Sequence, residues 1–331
     1  MKLSTVDTFK HMKFNPENCI CLEGTQLRKY QQYLLMIAAD IIRVCEEYQI
    51  TYHLSGGSCL GAVRHQGFIP WDDDMDLDIL GDDFDLFAEK FLERFGDKYW
   101  LHTCKTHDYG MTVSRVRLKG SVFRAREDLK NEECGFFVDL MRIENVSDHA
   151  LIRNLHGFLC MASGFLLSCR NFYQNRAFMK ELAEQNPEFY RVYRIKVRIG
   201  FLTAALSLDT WTRLTQKIYG ACHNSSSRYV TVPGGRKHFF GELRKREGFV
   251  TSVKASFEGY KWNIPSDYDE YLKSMYGEYM VPPEKTEQEE HILLELQFPE
   301  ESPVPDIPVP ASGSSAGHRM KPASHQTDFI S

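Results

Sequence analysis

Apolar residues at Leu27, Tyr30, Leu34, Ile37, Ile41, Val44 and Tyr48 recur at steps of three and four, which predicts a helix over about 26–48 with one apolar face. The period then shortens. Ile50 to Leu54 reads as a short strand that delivers the chain to Ser55-Gly56-Gly57-Ser58. From Met75 to Leu80 apolar and acidic residues alternate, so a strand there turns Met75, Leu77 and Ile79 to a core and Asp76 and Asp78 to the other side. Asp82 or Asp83 is placed to cap a following helix whose apolar face holds Phe84, Phe87, Phe91 and Phe95. Further strands are expected over 100–104, 111–118 and 136–140. Strands separated by helices indicate an α/β to α+β core with a mixed sheet and additional packed helices.

The later chain has a different texture. Residues 148–222 read as mainly helical, and Leu151 to Cys169 is their most apolar run, broken by Arg153, Asn154 and His156. Its uninterrupted part is too short for an ordinary membrane span, so a buried helix is expected. Residues 228–285 mix short strands and turns with a compact helix near 268–276. Six of the 13 prolines fall between Pro299 and Pro322, which marks a disordered tail. The resulting division is an N-terminal extension (1–25), a catalytic core (26–147), a helical region packed on it (148–227), a C-terminal part (228–292) and the tail (293–331).

Composition narrows the class. The 331 residues are 43% hydrophobic and 13% aromatic, enough for a sizeable core. A formal charge of only -5 gives no global attraction to nucleic acid, which is not an expected partner. Nine cysteines, odd in number and widely spaced behind a start without a secretion signal, fit reduced intracellular thiols. Cys19 and Cys21 lack partners for a zinc site, and His223, His238 and His291 form no compact zinc signature.

Against this background one segment stands out. Residues 72–78 carry five aspartates in seven positions, some fifteen residues beyond a glycine-serine turn. An acidic run alone is most often a solvated turn. Paired carboxylates on one strand face repel each other and lose hydration unless a cation compensates them, and Mg²⁺ or Mn²⁺ accepts such oxygen ligands. Gly56, Gly57 and Ser58 permit close backbone approach to phosphate oxygens. Neither a Walker motif nor a dinucleotide-binding glycine pattern is present. Asp139 is a lone charge inside the apolar run 135–140, a candidate third carboxylate or, alternatively, a buried salt-bridge partner. Arg64, His65, Arg115 and Arg117 are candidates to contact donor phosphate; ion pairing, packing or solvent exposure is the plainer role for each. Trp71 is expected to bury the loop. Arg191, Arg194 and Arg198 share a helical face that suits an anionic acceptor or membrane surface, or is simply solvated.

The stretch YHLSGGSCLGAVRH, Tyr52 to His65, followed by GFIPWDDDMD, Gly67 to Asp76, resembles the LicD family, which includes bacterial phosphorylcholine transferases and fukutin-related ribitol-phosphate transferases. The resemblance continues at Gly135 to Leu140 and returns at Pro265 to Leu272, Tyr276 to Met280 and Pro282-Pro283. It spans most of residues 26–292, with a less recognisable middle. Ser58-Cys59 stands where Thr-Leu is common, and Asp78 where the family is often not acidic. The resemblance implies a nucleotidyltransferase-like core. It also implies transfer of a substituted phosphate, such as phosphocholine or a polyol phosphate, from a CDP-linked donor to a hydroxyl of a glycan or lipid-linked glycan. Its DxD pair maps onto Asp74 and Asp76 as catalytic metal ligands for Mg²⁺ or Mn²⁺, with Asp78 an additional ligand and Asp139 either a ligand or the proton acceptor. Such an acceptor places the protein in the cytoplasm at the inner face of the membrane, in peripheral contact with anionic lipid. Two other readings stay open: an NTP-dependent nucleotidyltransferase, and a non-catalytic glycan- or membrane-associated scaffold.

Overall fold

The computed structural model describes residues 20–106, 110–125, 128, 131–184, 186–284, 288 and 293–300. Helix α1 (Gly24–Glu47) buries Leu27, Tyr30, Leu34, Ile37, Ile41 and Val44, the face its periodicity predicts, while Tyr48 lies past its end and is exposed. The chain then forms β1 (Tyr52–Leu54), α2 (Gly56–Arg64) and β2 (Asp76–Leu80). The glycine-serine segment is thus the first turn of a helix rather than an open turn. A single 3-10 turn at Gly81–Asp83 leads into α3 (Phe84–Phe95). Asp83 holds the N-cap position, with no side-chain cap bond. Phe84, Phe87 and Phe91 are fully buried and their rings pack in sequence along the helix.

Strands β3 (Tyr99–His102), β4 (Ser114–Leu118), β5 (Val122–Ala125) and β6 (Phe137–Val146) follow. The main sheet runs β1-β2-β6-β4-β3, with β2 and β6 parallel and the other pairs antiparallel. Strand β6 is twice the expected length. Its second half pairs with β7 (Tyr229–Thr231), which pairs in turn with the two-residue β8 (Arg244–Lys245). Met75, Leu77, Ile79, Val116, Val138 and Leu140 are buried in the core that α1 and α3 share. The architecture is therefore a curled mixed sheet with packed helices.

Helices α4 (Ala150–Gln174), α5 (Arg176–Ala183), α6 (Pro187–Leu202) and α7 (Leu208–Tyr219) lie between β6 and β7. They bury one small cluster of their own around Phe172 and Phe189, and a second around Cys160 and Tyr219 that they share with Val146 of β6 and Phe239. The expectation of a buried helix at Leu151–Cys169 is corrected here. Helix α4 buries His156, Gly157, Cys160 and Ser163 on one side, but the opposite side of its first three turns is exposed, because α6 covers only its later half.

The remainder comprises α8 (His238–Gly241), α9 (Arg246–Val250), the hairpin β9 (Ser252–Phe257) and β10 (Tyr260–Pro265), α10 (Tyr268–Tyr276) and β11 (Leu293–Gln297). Strand β11 pairs antiparallel with β5, so a tail starting at 293 is also corrected: Leu293 is buried in the core and the alternating LLELQ pattern makes an edge strand. The expected disorder of 301–331, like Cys19 and His291, lies outside the described residues. Every described cysteine is a free thiol.

One buried charge in the helical region yields a stability prediction. Lys196 is almost fully buried, donates to Ser168 Oγ at 2.9 Å and sits over the Phe172 ring; burial lowers its pKa to about 8. The unfolded chain binds the proton more tightly, so the penalty is full below about 8 and fades as pH rises towards the ordinary lysine value. Lys196→Met is expected to raise stability at pH 7 by roughly 2–3 kcal/mol and to flatten the alkaline rise in Tm, read by thermal melts across pH.

Candidate active site

Sheet register assembles the site. Ser55 N–H donates to Asp76 O at 3.0 Å, Asp76 is the register partner of Asp139, Asp139 of Arg115, and Arg115 of His102. Residues aligned across neighbouring strands share a face. One row of polar side chains thus crosses the sheet from β1 to β3, and Asp76 and Asp139 stand side by side in it.

Helix α2 closes over the β2 end of this row. Its Ser58 is buried and its hydroxyl accepts from Asp76 N–H at 3.0 Å, which ties the helix's first turn to the strand. Gly56 N–H donates to the Tyr271 hydroxyl at 2.9 Å. Gly56 has φ +48°, in the left-handed region that glycine adopts without strain, and a Cβ there would lie 3.2 Å from Asp76 Oδ2 and 3.6 Å from the Tyr276 hydroxyl. A Cβ on Gly57 would lie 2.9 Å from Asp72 Oδ2. Glycine at both positions lets the carboxylates of Asp76 and Asp72 and the Tyr276 hydroxyl close against the first turn of α2, in one acidic hollow that Asp74 also charges. Gly56→Ala is expected to cost about 1–2 kcal/mol through backbone strain and also to lower turnover by crowding Asp76; melting and steady-state rates measured on one preparation separate the two effects.

The electrostatics of the hollow are those of crowded carboxylates. Asp72 is pushed well above the usual carboxylate range, first by burial and then by Asp74, Asp73 and Asp76. Burial raises the Tyr276 hydroxyl, Arg236 opposes that rise, and Asp76, Asp74 and Asp72 add to it. Arg236, from the loop after β7, lies 5.7 Å from the Tyr276 ring centroid and brings a positive charge to the rim.

The other candidates are placed as follows. Asp78 is withdrawn from the hollow: it is fully buried, and burial, with a smaller push from Glu242, outweighs the Ser55 hydroxyl and Arg244 and raises it to about 7. Asp139 is held by Arg115, whose Nε and Nη2 reach its two oxygens at 2.6 and 3.2 Å. Arg115 stacks on Phe137 at 4.0 Å, and its Nη1 lies 3.8 Å from Asp128. Arg117 is fully buried and pairs with Asp128 at 2.7 Å, with a further bond to Gly135 O, so it faces the interior and not a phosphate. Arg64 and His65 lie at the far end of α2 from the glycines; Arg64 donates to Tyr279 O at 2.7 Å and to His65 Nε2 at 2.9 Å. Trp71 packs, half-buried, against the core.

The donor set suits a hard divalent cation. Asp72, Asp74 and Asp76 offer oxygen atoms close to the glycine turn, and their mutual repulsion is what a cation would relieve. Among the described residues no three acidic, histidine or cysteine side chains are drawn together at ligand spacing. Residues that the sequence reading passed over are Asp72, left in the acidic run, Tyr276, inside a resembling segment, and Arg236, which had no signal.

Residues 49–156 match the family model described as LicD/FKTN/FKRP, nucleotidyltransferase domain. Over 286 residues the chain is 25% identical to the lipopolysaccharide cholinephosphotransferase LicD of Haemophilus influenzae, covering 80% of this chain and 96% of that protein. An uncharacterised protein of Rickettsia prowazekii is 33% identical over 82 residues, which cover 23% of this chain and 30% of that one.

Proposed function

We propose that the protein is a LicD-like phosphotransferase that moves phosphocholine, or a similarly substituted phosphate, from a CDP-linked donor to a hydroxyl of a lipopolysaccharide-type glycan. The observation that carries this is the hollow between the α2 N-terminus and Asp72, Asp74 and Asp76, within the matched domain and in a chain that aligns along nearly the whole of a cholinephosphotransferase.

The chain's own groups divide the work. Gly56 and Gly57 present the N-terminus of α2 without side chains, and the donor pyrophosphate binds at this positive end of the helix dipole. Asp74 and Asp76 are the ligands for Mg²⁺ or Mn²⁺, which supplies charge neutralisation on the pyrophosphate when bound. Arg236 is the rim cation for a phosphate oxygen. Asp139, with both oxygens engaged by Arg115, would lose an arm of that pair by taking up a proton, so a fixed charge beside Asp76 suits it better than proton removal. The acceptor oxygen bonds to the substituted phosphorus, the bond from that phosphorus to the bridging oxygen breaks, CMP departs and the hydroxyl proton is released. A loose transition state asks for positioning and charge rather than a strong base.

Purified protein incubated with CDP-choline, CDP-ribitol, CDP-glycerol or an NTP, each with Mg²⁺ or Mn²⁺ and truncated lipopolysaccharide, tests the reading. Release of CMP with a matching mass gain on the acceptor is expected from one CDP donor. Pyrophosphate release from an NTP with a nucleotidylated acceptor would replace this reading with nucleotidyl transfer.

A further inference from the structure

Helix α4 is the one described helix long and apolar enough to cross a membrane, yet it does not stand free to do so. Its inner side is fastened to the fold: His156 Nε2 meets Ile218 O at 2.7 Å, Thr215 Oγ1 donates to Ser163 O at 3.4 Å, and Arg170 Nε donates to Leu206 O at 3.1 Å. Its outer side begins bare. Leu151, Leu155 and Phe158 are 75%, 62% and 66% exposed, and Ile152 and Leu159 flank them on the same three turns. Phe158 continues this surface into Phe240 of α8 at 5.4 Å between ring centroids.

Helix α6 extends the surface and adds charge. Cys169 stands about five turns beyond Leu151, hence on the same line of α4. Gly200 of α6 packs directly on the Cys169 carbonyl, and Phe201 meets Tyr173 at 5.8 Å. With Lys196 and Gly200 turned to α4, the opposite side of α6 carries Arg191, Arg194 and Arg198 at steps of three and four, all exposed, and ends in exposed Phe201 and Leu202. The outer side of α6 therefore looks the same way as the bare turns of α4.

We propose that this face, the first three turns of α4 with the outer side of α6, is a docking surface for an anionic lipid bilayer. Leucine and phenylalanine side chains enter the boundary between headgroups and acyl chains, and the arginine stripe pairs with lipid phosphates. A twofold contact between two copies centred on this face would set arginine stripes against each other, which like charge disfavours. The helix lies along the membrane rather than across it, since its inner side remains packed on α7. The inference stands on surface chemistry and not on the phosphotransfer reading; if both hold, the face brings the site to a lipid-anchored acceptor.

Cosedimentation with vesicles tests it without any activity measurement. The full-length chain is expected to pellet with phosphatidylglycerol-containing vesicles and far less with phosphatidylcholine alone. Arg194→Glu with Arg198→Glu should weaken binding roughly thirtyfold, and Leu155→Glu with Phe158→Glu at least about tenfold. Both pairs change exposed side chains, so unaltered circular dichroism and melting are expected for each. Failure of the wild-type chain to pellet, or binding by both variants at the wild-type level, would overturn the proposal. So would a shift from dimer to monomer in Leu155→Glu/Phe158→Glu with vesicle binding unchanged, which would assign the face to a second copy.

Discussion

Asp74→Asn and Asp76→Asn should each lower turnover by roughly a thousandfold, about 4 kcal/mol of transition-state stabilisation, while leaving the fold at least as stable as before. The two halves of this prediction have one cause. Asp72 is pushed upward first by burial and then by Asp74, Asp73 and Asp76, so the acidic hollow is a place where the folded chain tolerates repulsion. Neutralising one carboxylate relieves it, and Tm stays level or rises; on the proposed function the same change would remove a ligand for the cation and with it the charge that offsets the departing nucleotide. Steady-state rates with thermal melts on each variant check both halves. A variant that loses activity by unfolding would instead show a lowered Tm, and a structural carboxylate would show no dependence of the residual rate on metal concentration.

Arg115→Met acts in the opposite sense, on stability first. Arg115 is fully buried, holds Asp139 by two bonds and faces Asp128 in a cluster that also contains Arg117. Removing one partner of a buried pair leaves uncompensated charge, and a loss of about 3–5 kcal/mol is expected in denaturant unfolding. Arg115→Lys keeps the charge but not the planar fork that meets both Asp139 oxygens, so it should recover only part of that loss. If Asp139 is held in place for catalysis, the lysine variant will show reduced turnover at temperatures where it is fully folded.

The elements that the sequence revealed most clearly were those with one wet and one dry side. The α1 face from Leu27 to Val44 and the Phe84-Phe87-Phe91 stripe lie where their spacing put them, because period alone decides which side chains meet the core. The bare side of α4 was hidden for the same reason. Its stretch carries apolar residues on most sides, with only Arg153, Asn154 and His156 breaking the early turns, so periodicity could not show that α6 covers only one end of it. At the site, the alternation Asp76-Leu77-Asp78 placed two carboxylates on one strand face, but not the burial of Asp78 beneath α2 or the loss of Arg117 to Asp128. These outcomes depend on which strand lies beside which. The neighbourhood of β2, β6 and β4 is a parallel crossover followed by an antiparallel return, and no local pattern encodes it. Arg236 reaches the rim from a loop some 160 residues after the aspartates, and nothing in its immediate sequence marks it.

The most direct test of phosphotransfer follows the phosphorus. CDP-choline radiolabelled in the choline-linked phosphate, and separately in the phosphate attached to cytidine, would be offered with Mg²⁺ and a glycan acceptor to the wild-type chain and to Asp76→Asn. Label passing to the acceptor from the choline-linked phosphate alone, with the other label recovered in CMP and both transfers lost in the variant, is the predicted result. Label reaching the acceptor from the cytidine-linked phosphate would contradict the account and make the protein a nucleotidyltransferase.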